Sequence, residues 1–310
     1  MNQRAQHRIW VTGSTGRIGA RLVPLLGEAG FDVHGFSGPR GARASGFEPL
    51  PETVGELAER IAGSAALVHL AAPNPSRLRA AIIGRSELER DHVRLARLAG
   101  EAVLLAGVPR LIHLSSARVY GIQPSPYRED ATPARPVDPY GDAKLAAERV
   151  LSEVFAREPD RLVMLRVPVV HGTGRLGAAG LAAEMARRGL PLPQRIAGAR
   201  KSVLGIENLA GAIAHFSDAT RPGGIFNMAD PDILRFGDYA GLFMDGSGRQ
   251  IREAHWPDQL ADIAKFLPVA GPAVRHLAAD CVLDCTKAQM AAGCTAGHTT
   301  AHMVHVRKAG

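Results

Sequence analysis

The segment Tyr140-Gly-Asp-Ala-Lys144 holds the two side chains whose spacing most directly suggests catalysis. On a helix, residues four positions apart lie on one face, so the phenol and the ammonium group would point the same way. A phenol has a pKa of about 10 and is a poor base at neutral pH. A nearby ammonium group and an oxidised nicotinamide ring would favour the phenolate and lower that pKa. The pair therefore predicts a tyrosine that exchanges a proton with an alcohol or a ketone while a hydride moves.

Two serines upstream are candidates to assist this tyrosine. The apolar run Leu111–Leu114 predicts a strand, and Ser115 and Ser116 follow at its carboxyl end. Ligands of open α/β sheets bind outside the carboxyl ends of the strands. A hydroxyl group there would bond the same substrate oxygen as Tyr140. Two serines alone are equally typical of a turn, and the Tyr–Lys pair favours the catalytic interpretation.

A glycine-rich loop near the start of the chain predicts a dinucleotide site. The segment from Val11 to Gly19 has glycine at positions 13, 16 and 19, between a predicted strand and a predicted helix. Gly13 permits a tight turn, Gly16 lets the backbone approach a pyrophosphate, and Gly19 lets the helix pack close to the strand. The helix N-terminus supplies free N–H groups and the positive end of a dipole.

The end of the second predicted strand bears on the choice of cofactor. Sites specific for NAD usually place an acidic residue there, which binds the ribose 2′-hydroxyl. This chain has Ser37 instead, and Arg40 and Arg43 follow. Arginines at that place would face a 2′-phosphate, which favours NADP over NAD. The alternative is that both arginines are simply solvated in a loop.

The surrounding pattern predicts the elements that position these residues. Short apolar runs alternate with amphipathic stretches, which is typical of an α/β fold with a parallel sheet and helices on both faces. The predicted strands are 7–12, 32–36, 66–71, 110–115 and 162–166, and the predicted helices are 16–30, 52–62, 85–106 and 140–157. We expect a Rossmann-type doubly wound domain over residues 1–168. Residues 169–310 would form a smaller α/β substrate-binding domain, of which some segments return to the sheet.

Composition excludes several classes of protein. The chain has 310 residues, of which 46% are hydrophobic and 22% charged, so it is neither disordered nor a small disulfide-rich protein. No apolar run is long enough to span a membrane. The net charge of +7 comes from arginines spread along the chain, and aromatic residues make up only 5%, which argues against nucleic-acid binding. The three cysteines fit a reducing compartment without matching common zinc spacings, so we expect a cytoplasmic protein without a metal.

The order of these motifs resembles that of the extended short-chain dehydrogenases/reductases, in particular the NAD-dependent epimerase/dehydratase type that acts on nucleotide sugars. The motifs that carry the resemblance are Thr12–Gly19, His69–Ala72, Ser115–Gly121, Pro139–Lys144 and Leu165–Gly172. It implies a catalytic set of Ser116, Tyr140 and Lys144. It also implies cofactor contacts from Gly13, Thr15, Gly16, Arg17, Ile18, Gly19, Ser37, Arg40, Leu70, Ala71, Ala72, Ser115, Tyr140, Lys144 and Pro168, with Pro168 near the nicotinamide.

Departures from the family pattern narrow the expected reaction. Members that dehydrate sugars carry Asp-Glu after the catalytic hydroxyl residue, whereas this chain has Ala117 and Arg118, which cannot serve as that acid and base. Arg118 would either contact an anionic group of the substrate or point to solvent. For the substrate diphosphate, Val169 replaces a frequent Asn and Lys201 a frequent Arg, with Arg275 as a second candidate contact. Lysine keeps the charge of arginine but loses its two-pronged geometry.

These observations favour an NAD(P)-dependent nucleotide-sugar epimerase. Tyr140 would deprotonate the sugar 4-hydroxyl, and the resulting 4-keto sugar would turn over and be reduced on its other face. An NADPH-dependent ketoreductase acting on a keto-sugar or another carbonyl is the alternative, and a non-catalytic dinucleotide sensor is a third. The resemblance also implies a homodimer, in which helices 85–106 and 140–157 pair with those of a second copy.

Overall fold

The computed structural model describes residues 7–38, 46–72, 85–174, 177–244, 251–255 and 270–300. The strands of this part of the chain are β1 (Arg8–Thr12), β2 (Asp32–Ser37), β3 (Glu48–Pro49), β4 (Ala66–His69), β5 (Arg110–Ser116), β6 (Leu162–Val167), β7 (Val169–His171), β8 (Leu192–Pro193), β9 (Arg200–Gly205), β10 (Gly224–Asn227), β11 (Ile233–Arg235) and β12 (Glu253–Ala254). Its α-helices are α1 (Gly19–Glu28), α2 (Val54–Ile61), α3 (Arg85–Leu105), α4 (Pro139–Val154), α5 (Gly177–Arg187), α6 (Gln194–Ala197), α7 (Ile206–Phe216), α8 (Phe236–Gly241), α9 (Ala270–Ala278) and α10 (Thr286–Ala292).

The main sheet has seven strands in the order β10-β6-β5-β4-β1-β2-β3, and every pairing in it is parallel. Parallel strands are covered on both faces, so their residues are apolar on both sides. In β1, Ile9 and Val11 belong to the cluster on one face of the sheet, which α1 and α7 cover. Trp10 belongs to the cluster on the other face, which α2, α3 and α4 cover. This confirms the predicted doubly wound α/β sheet.

The five predicted strands and four predicted helices lie close to their observed bounds. Further elements were not predicted. The short strand β3 was not predicted, and it pairs with the end of β2. From the second half of the chain, β10 pairs with β6 at the sheet edge, and Leu209, Ile213 and Phe216 of α7 share a core with Leu22 of α1. Thus β10 belongs to the main sheet and α7 packs on it, while the division at residue 168 itself stays an interpretation.

Several elements that follow β6 form a smaller unit, which β7 joins to the carboxyl edge of the main sheet. Strands β11, β9 and β7 form a three-stranded sheet, and β12 pairs with β8. A small core joins them to α5, α6 and α8 through residues such as Val203, Phe236 and Tyr239. Because β7 follows β6 after Pro168 alone, this small sheet is held next to the strand ends of the main sheet. No helix of the described residues is long and apolar enough to cross a membrane.

Candidate active site

The glycine loop between β1 and α1 is fixed against the end of β2. The N–H groups of Gly13 and Ser14 donate to the carbonyl oxygen of Phe36, at 2.9 and 3.1 Å. Gly13 has a φ of +74°, which side chains disfavour. A Cβ atom on Gly19 would lie 2.3 Å from the Gly13 carbonyl oxygen. Two of the three glycines are therefore required by the geometry, as the sequence predicted.

The loop leaves the start of α1 open for an anion. Ile18 precedes the helix and provides no side-chain cap, although the first N–H groups of a helix need acceptors from outside it. Gly16 and Arg17 are exposed, and Thr15 and Ile18 are half-buried. A pyrophosphate fits this place because it would lie at the positive end of the helix dipole. The residues of the loop thus fit the dinucleotide that the sequence predicted.

The segment after β4 lies directly beside this loop. The Ala71 N–H donates to Thr12 Oγ1 at 3.1 Å, and the Leu70 N–H donates to the Thr12 carbonyl oxygen at 3.2 Å. A Cβ on Gly13 would lie 3.0 Å from the Ala71 nitrogen. The predicted cofactor residues Leu70 and Ala71 are therefore neighbours of the glycine loop, and Ala72 follows them.

Tyr140 occupies the second residue of α4 and is surrounded by cationic and ring groups. The Arg118 guanidinium carbon lies 5.8 Å from the centre of its ring, and Lys144 Nζ lies 6.0 Å away. Burial raises the pKa of Tyr140 above its usual value; Arg118 opposes this, Asp138 adds to it, and Arg17 opposes it. The phenol therefore stays protonated at neutral pH unless further positive charge arrives beside it.

Lys144 lies one turn after Tyr140 and is 4% exposed. Its ammonium group donates to the Leu114 carbonyl oxygen at 2.8 Å, which ties α4 to β5. Burial lowers the pKa of Lys144 to about 8, while the Glu148 carboxylate acts in the opposite direction. Lys144 consequently carries its charge at neutral pH but loses it more easily than an exposed lysine does.

The two serines that end β5 make different hydrogen bonds. Ser116 Oγ accepts the Arg118 N–H at 3.3 Å at the start of a short 3₁₀ helix over residues 117–120, and this bond leaves its proton available. Ser115 Oγ donates instead to Glu148 Oε1 at 2.5 Å. Glu148 also accepts two bonds from Arg166, at 3.0 and 2.6 Å. Ser115 is thus engaged in a buried network, which supports Ser116 as the catalytic hydroxyl.

Of the residues predicted to distinguish NAD from NADP, the structure describes Ser37 but neither Arg40 nor Arg43. Ser37 is buried, and its hydroxyl donates to the Glu48 carbonyl oxygen at 3.2 Å. This bond turns the hydroxyl toward β3. Arg40 and Arg43 lie outside the described residues, so their contacts with a 2′-phosphate stay a prediction.

The predicted substrate residues lie in different surroundings. Pro168 is half-buried between β6 and β7, and Val169 is 62% exposed on β7. Lys201 donates to the carbonyl oxygens of His276 and Ala279 at the end of α9. Arg275 is exposed in the same last turn of α9.

Arg118 does not point freely to solvent, because its Nε and Nη2 atoms both bond Asp138 Oδ2, at 3.0 and 2.8 Å. His276 Nε2 lies 3.0 Å from the same oxygen. Sequence reasoning did not connect Asp138 with His276, since 138 residues separate the two and no local pattern joins them.

Residues 9–229 match the sequence profile described as the NAD dependent epimerase/dehydratase family. The chain belongs to this family. It is therefore an extended short-chain dehydrogenase/reductase enzyme, as the motifs predicted. The match covers the glycine loop, the Tyr–Lys pair and the strands between them, so the resemblance found in the sequence is confirmed.

Two curated relatives are similar to this chain over part of their length. The chain is 31% identical to a UDP-glucose 4-epimerase of Azospirillum brasilense over 192 residues, which are 59% of this chain and 54% of that protein. It is 30% identical to one of Yersinia pestis over 195 residues, 54% of this chain and 56% of that protein. The matched part thus spans about half the length of these curated relatives.

Solved structures extend the similarity in fold to the whole chain. The enzyme WbmG of Bordetella bronchiseptica, crystallised with NAD, has a TM-score of 0.74 at 20% identity, covering 100% of this chain and 95% of that one. The UDP-N-acetylglucosamine 4-epimerase of Bacillus cereus has a TM-score of 0.74 at 18% identity, covering 98% and 99%. At these identities the likeness establishes the fold.

Proposed function

We propose that this chain is an NAD-dependent nucleotide-sugar 4-epimerase. The observation that carries the proposal is the arrangement of Tyr140 and Lys144 on one face of α4, with Ser116 at the end of β5 and the glycine loop at the end of β1. Ala117 and Arg118 follow Ser116, so the acid and base of a sugar dehydratase are absent from those two positions. The UDP-glucose 4-epimerases among its relatives support the choice.

In this mechanism Tyr140 accepts the proton of the sugar 4-hydroxyl and later returns it to the 4-keto oxygen. Ser116 donates its free proton to the same oxygen and holds it in place. Lys144 adds positive charge near the phenol and favours the phenolate. Bound NAD would supply the hydride acceptor, held at its pyrophosphate by the start of α1. The reduction on the opposite sugar face regenerates the starting state, so no external reductant is consumed.

We assign NAD as the cofactor and a UDP-sugar as the substrate class. The family is NAD dependent, and WbmG has been crystallised with NAD and UDP. MoeE5, with a TM-score of 0.72, has been crystallised with UDP-glucose and NAD. The alternative, an NADPH-dependent ketoreductase, is favoured by one feature: β2 ends in Ser37 and Gly38 without a carboxylate.

The first experiment is to denature the purified protein and identify the released dinucleotide by absorbance and mass spectrometry. We expect stoichiometric NAD. The protein is then incubated with UDP-glucose, UDP-N-acetylglucosamine and UDP-glucuronic acid in turn, and the 4-epimers are separated by chromatography. Tyr140→Phe should retain NAD and lose epimerisation. If the protein carries no dinucleotide and oxidises NADPH with keto substrates, the ketoreductase replaces the epimerase.

A further inference from the structure

The Asp138 carboxylate joins three segments of the chain at the start of the catalytic helix. Its Oδ1 atom accepts the N–H groups of Tyr140 and Gly141, both at 3.1 Å, and so caps α4. Its Oδ2 atom accepts Arg118 from the 3₁₀ helix after Ser116 and His276 from α9. Because the carboxylate is 6% exposed, these partners rather than water satisfy it.

The ionisation of Asp138 follows from this environment. Burial alone raises the pKa of a carboxyl group, but the His276 hydrogen bond and the Arg118 guanidinium hold the pKa of Asp138 well below its usual range. The carboxylate is therefore ionised and accepts every one of these bonds. His276 must then carry its proton on Nε2 to donate to it.

Arg118 and His276, the two side chains that bond Asp138 Oδ2, are themselves held in place. A Cβ on Gly141 would lie 2.7 Å from the Arg118 carbonyl oxygen, so the 3₁₀ helix touches the first turn of α4. On the other side, Lys201 bonds the carbonyl oxygens of His276 and Ala279, which fixes the last turn of α9 to β9. Lys201 and His276 thus connect the smaller sheet to the helix that carries Tyr140.

We propose that Arg118 and His276 are positioning residues, which act through Asp138 to hold the Tyr140 ring in its reactive place. Arg118 has a second effect, because its guanidinium group lies over the ring at 5.8 Å and favours a negative charge on the phenol. This role rests on the proposed function, in which Tyr140 is the base. It accounts for an arginine at the position where sugar dehydratases carry a glutamate.

The test follows the ionisation of Tyr140 directly in the NAD-saturated protein. The absorbance of phenolate near 295 nm is recorded against pH, and the curve of Tyr140→Phe is subtracted. The charged or titratable groups that surround this phenol are Arg17, His92, Arg118, Asp138 and Lys144. Because the measurement needs no sugar, it remains informative even if no UDP-sugar is converted, so failure of the proposed function is seen separately.

Arg118→Met removes both the contact with Asp138 and the charge over the ring. We expect the midpoint of the Tyr140 titration to rise by about one pH unit, since a nearby cation shifts a pKa by this order. Arg118→Lys keeps the charge and should give a midpoint between the two. With a UDP-sugar that is converted, kcat should fall about tenfold with KM changed less than about twofold, the pattern of a lost transition-state interaction.

Arg128→Met is the matched control. Arg128 bonds Asp284 at 2.8 Å, and Asp284 accepts the Thr286 N–H at the start of α10, so this pair repeats the arginine–aspartate cap on another helix. It should leave the midpoint and kcat unchanged. A titration midpoint for Arg118→Met equal to that of the control would overturn the proposal.

His276→Phe tests the other side chain that bonds Asp138 and keeps a ring of similar shape. Because His276 and Arg118 bond the same oxygen, their effects on kcat should be non-additive in the double variant. If Arg118→Met does not fold, Arg118→Lys and His276→Phe carry the test. Unchanged kcat and midpoint in both would refute the positioning role.

Discussion

Replacing Glu148 with glutamine should lower the free energy of unfolding by more than the loss of an exposed ion pair does. Glu148 lies one turn beyond Lys144 on α4 and is 3% exposed. It accepts two bonds from Arg166 on β6 and one from Ser115 on β5, so it clamps the catalytic helix onto two central strands. Arg166 is 5% exposed and also lies 4.8 Å from the centre of the Tyr120 ring.

The expected loss of unfolding free energy follows from the charge that the substitution leaves unpaired. Glutamine keeps the shape of Glu148 but removes its charge, so the Arg166 guanidinium stays buried without a counter-ion. Removal of one partner of a buried ion pair costs about 3–5 kcal/mol of unfolding free energy. At roughly 2–4 °C per kcal/mol in large domains, the thermal midpoint should fall by about 10 °C.

The assay is thermal unfolding followed by circular dichroism, with Glu184→Gln as the matched control. Glu184 on α5 also pairs with two arginines, Arg187 and Arg188, but lies in solvent. Its replacement should change the midpoint little, because water solvates the charges that remain. Equal midpoints for Glu148→Gln and Glu184→Gln would refute the buried clamp.

Three further predictions follow from the same structure. Gly19→Ala should weaken NAD binding at least about tenfold in calorimetric titration, because its Cβ would meet backbone atoms at 2.3 and 2.7 Å, whereas Gly27→Ala has no atom within 4 Å and should bind normally. Since the pKa of Lys144 is lowered to about 8, the unfolded chain binds an extra proton above that pH. The stability of the wild type relative to Lys144→Met should then rise by up to about 1.4 kcal/mol per pH unit from pH 8 to about 10, which urea titrations would measure. Light scattering should give the mass of a homodimer, and a monomer would refute the expected pairing of α3 and α4.

The sequence predicted those parts of the site that depend on neighbours along the chain. The glycine loop, the Tyr–Lys pair and Ser116 each lie within a few residues of a strand end or a helix start, so spacing alone indicates their faces. The contacts of Asp138 with Arg118 and His276 could not be predicted from the sequence, because both depend on folding. Asp138 meets Arg118 only when α4 packs on the 3₁₀ helix, and His276 comes from the far end of the chain. The same holds for β10, whose place at the sheet edge is set by its pairing with β6.

The charges around Tyr140 bear on how the proposed base would lose its proton. Arg118, Arg17 and Lys144 all lie near the phenol, yet burial and the Asp138 carboxylate outweigh the cations and keep the pKa of Tyr140 above its usual value. Lys144 already carries most of its charge at neutral pH, because its lowered pKa of about 8 still lies above that pH, so it has no further charge to add. Further positive charge would have to come from a ligand beside the ring, and an oxidised nicotinamide would supply it. In the proposed mechanism, Tyr140 would then become a base only where the hydride acceptor is also bound.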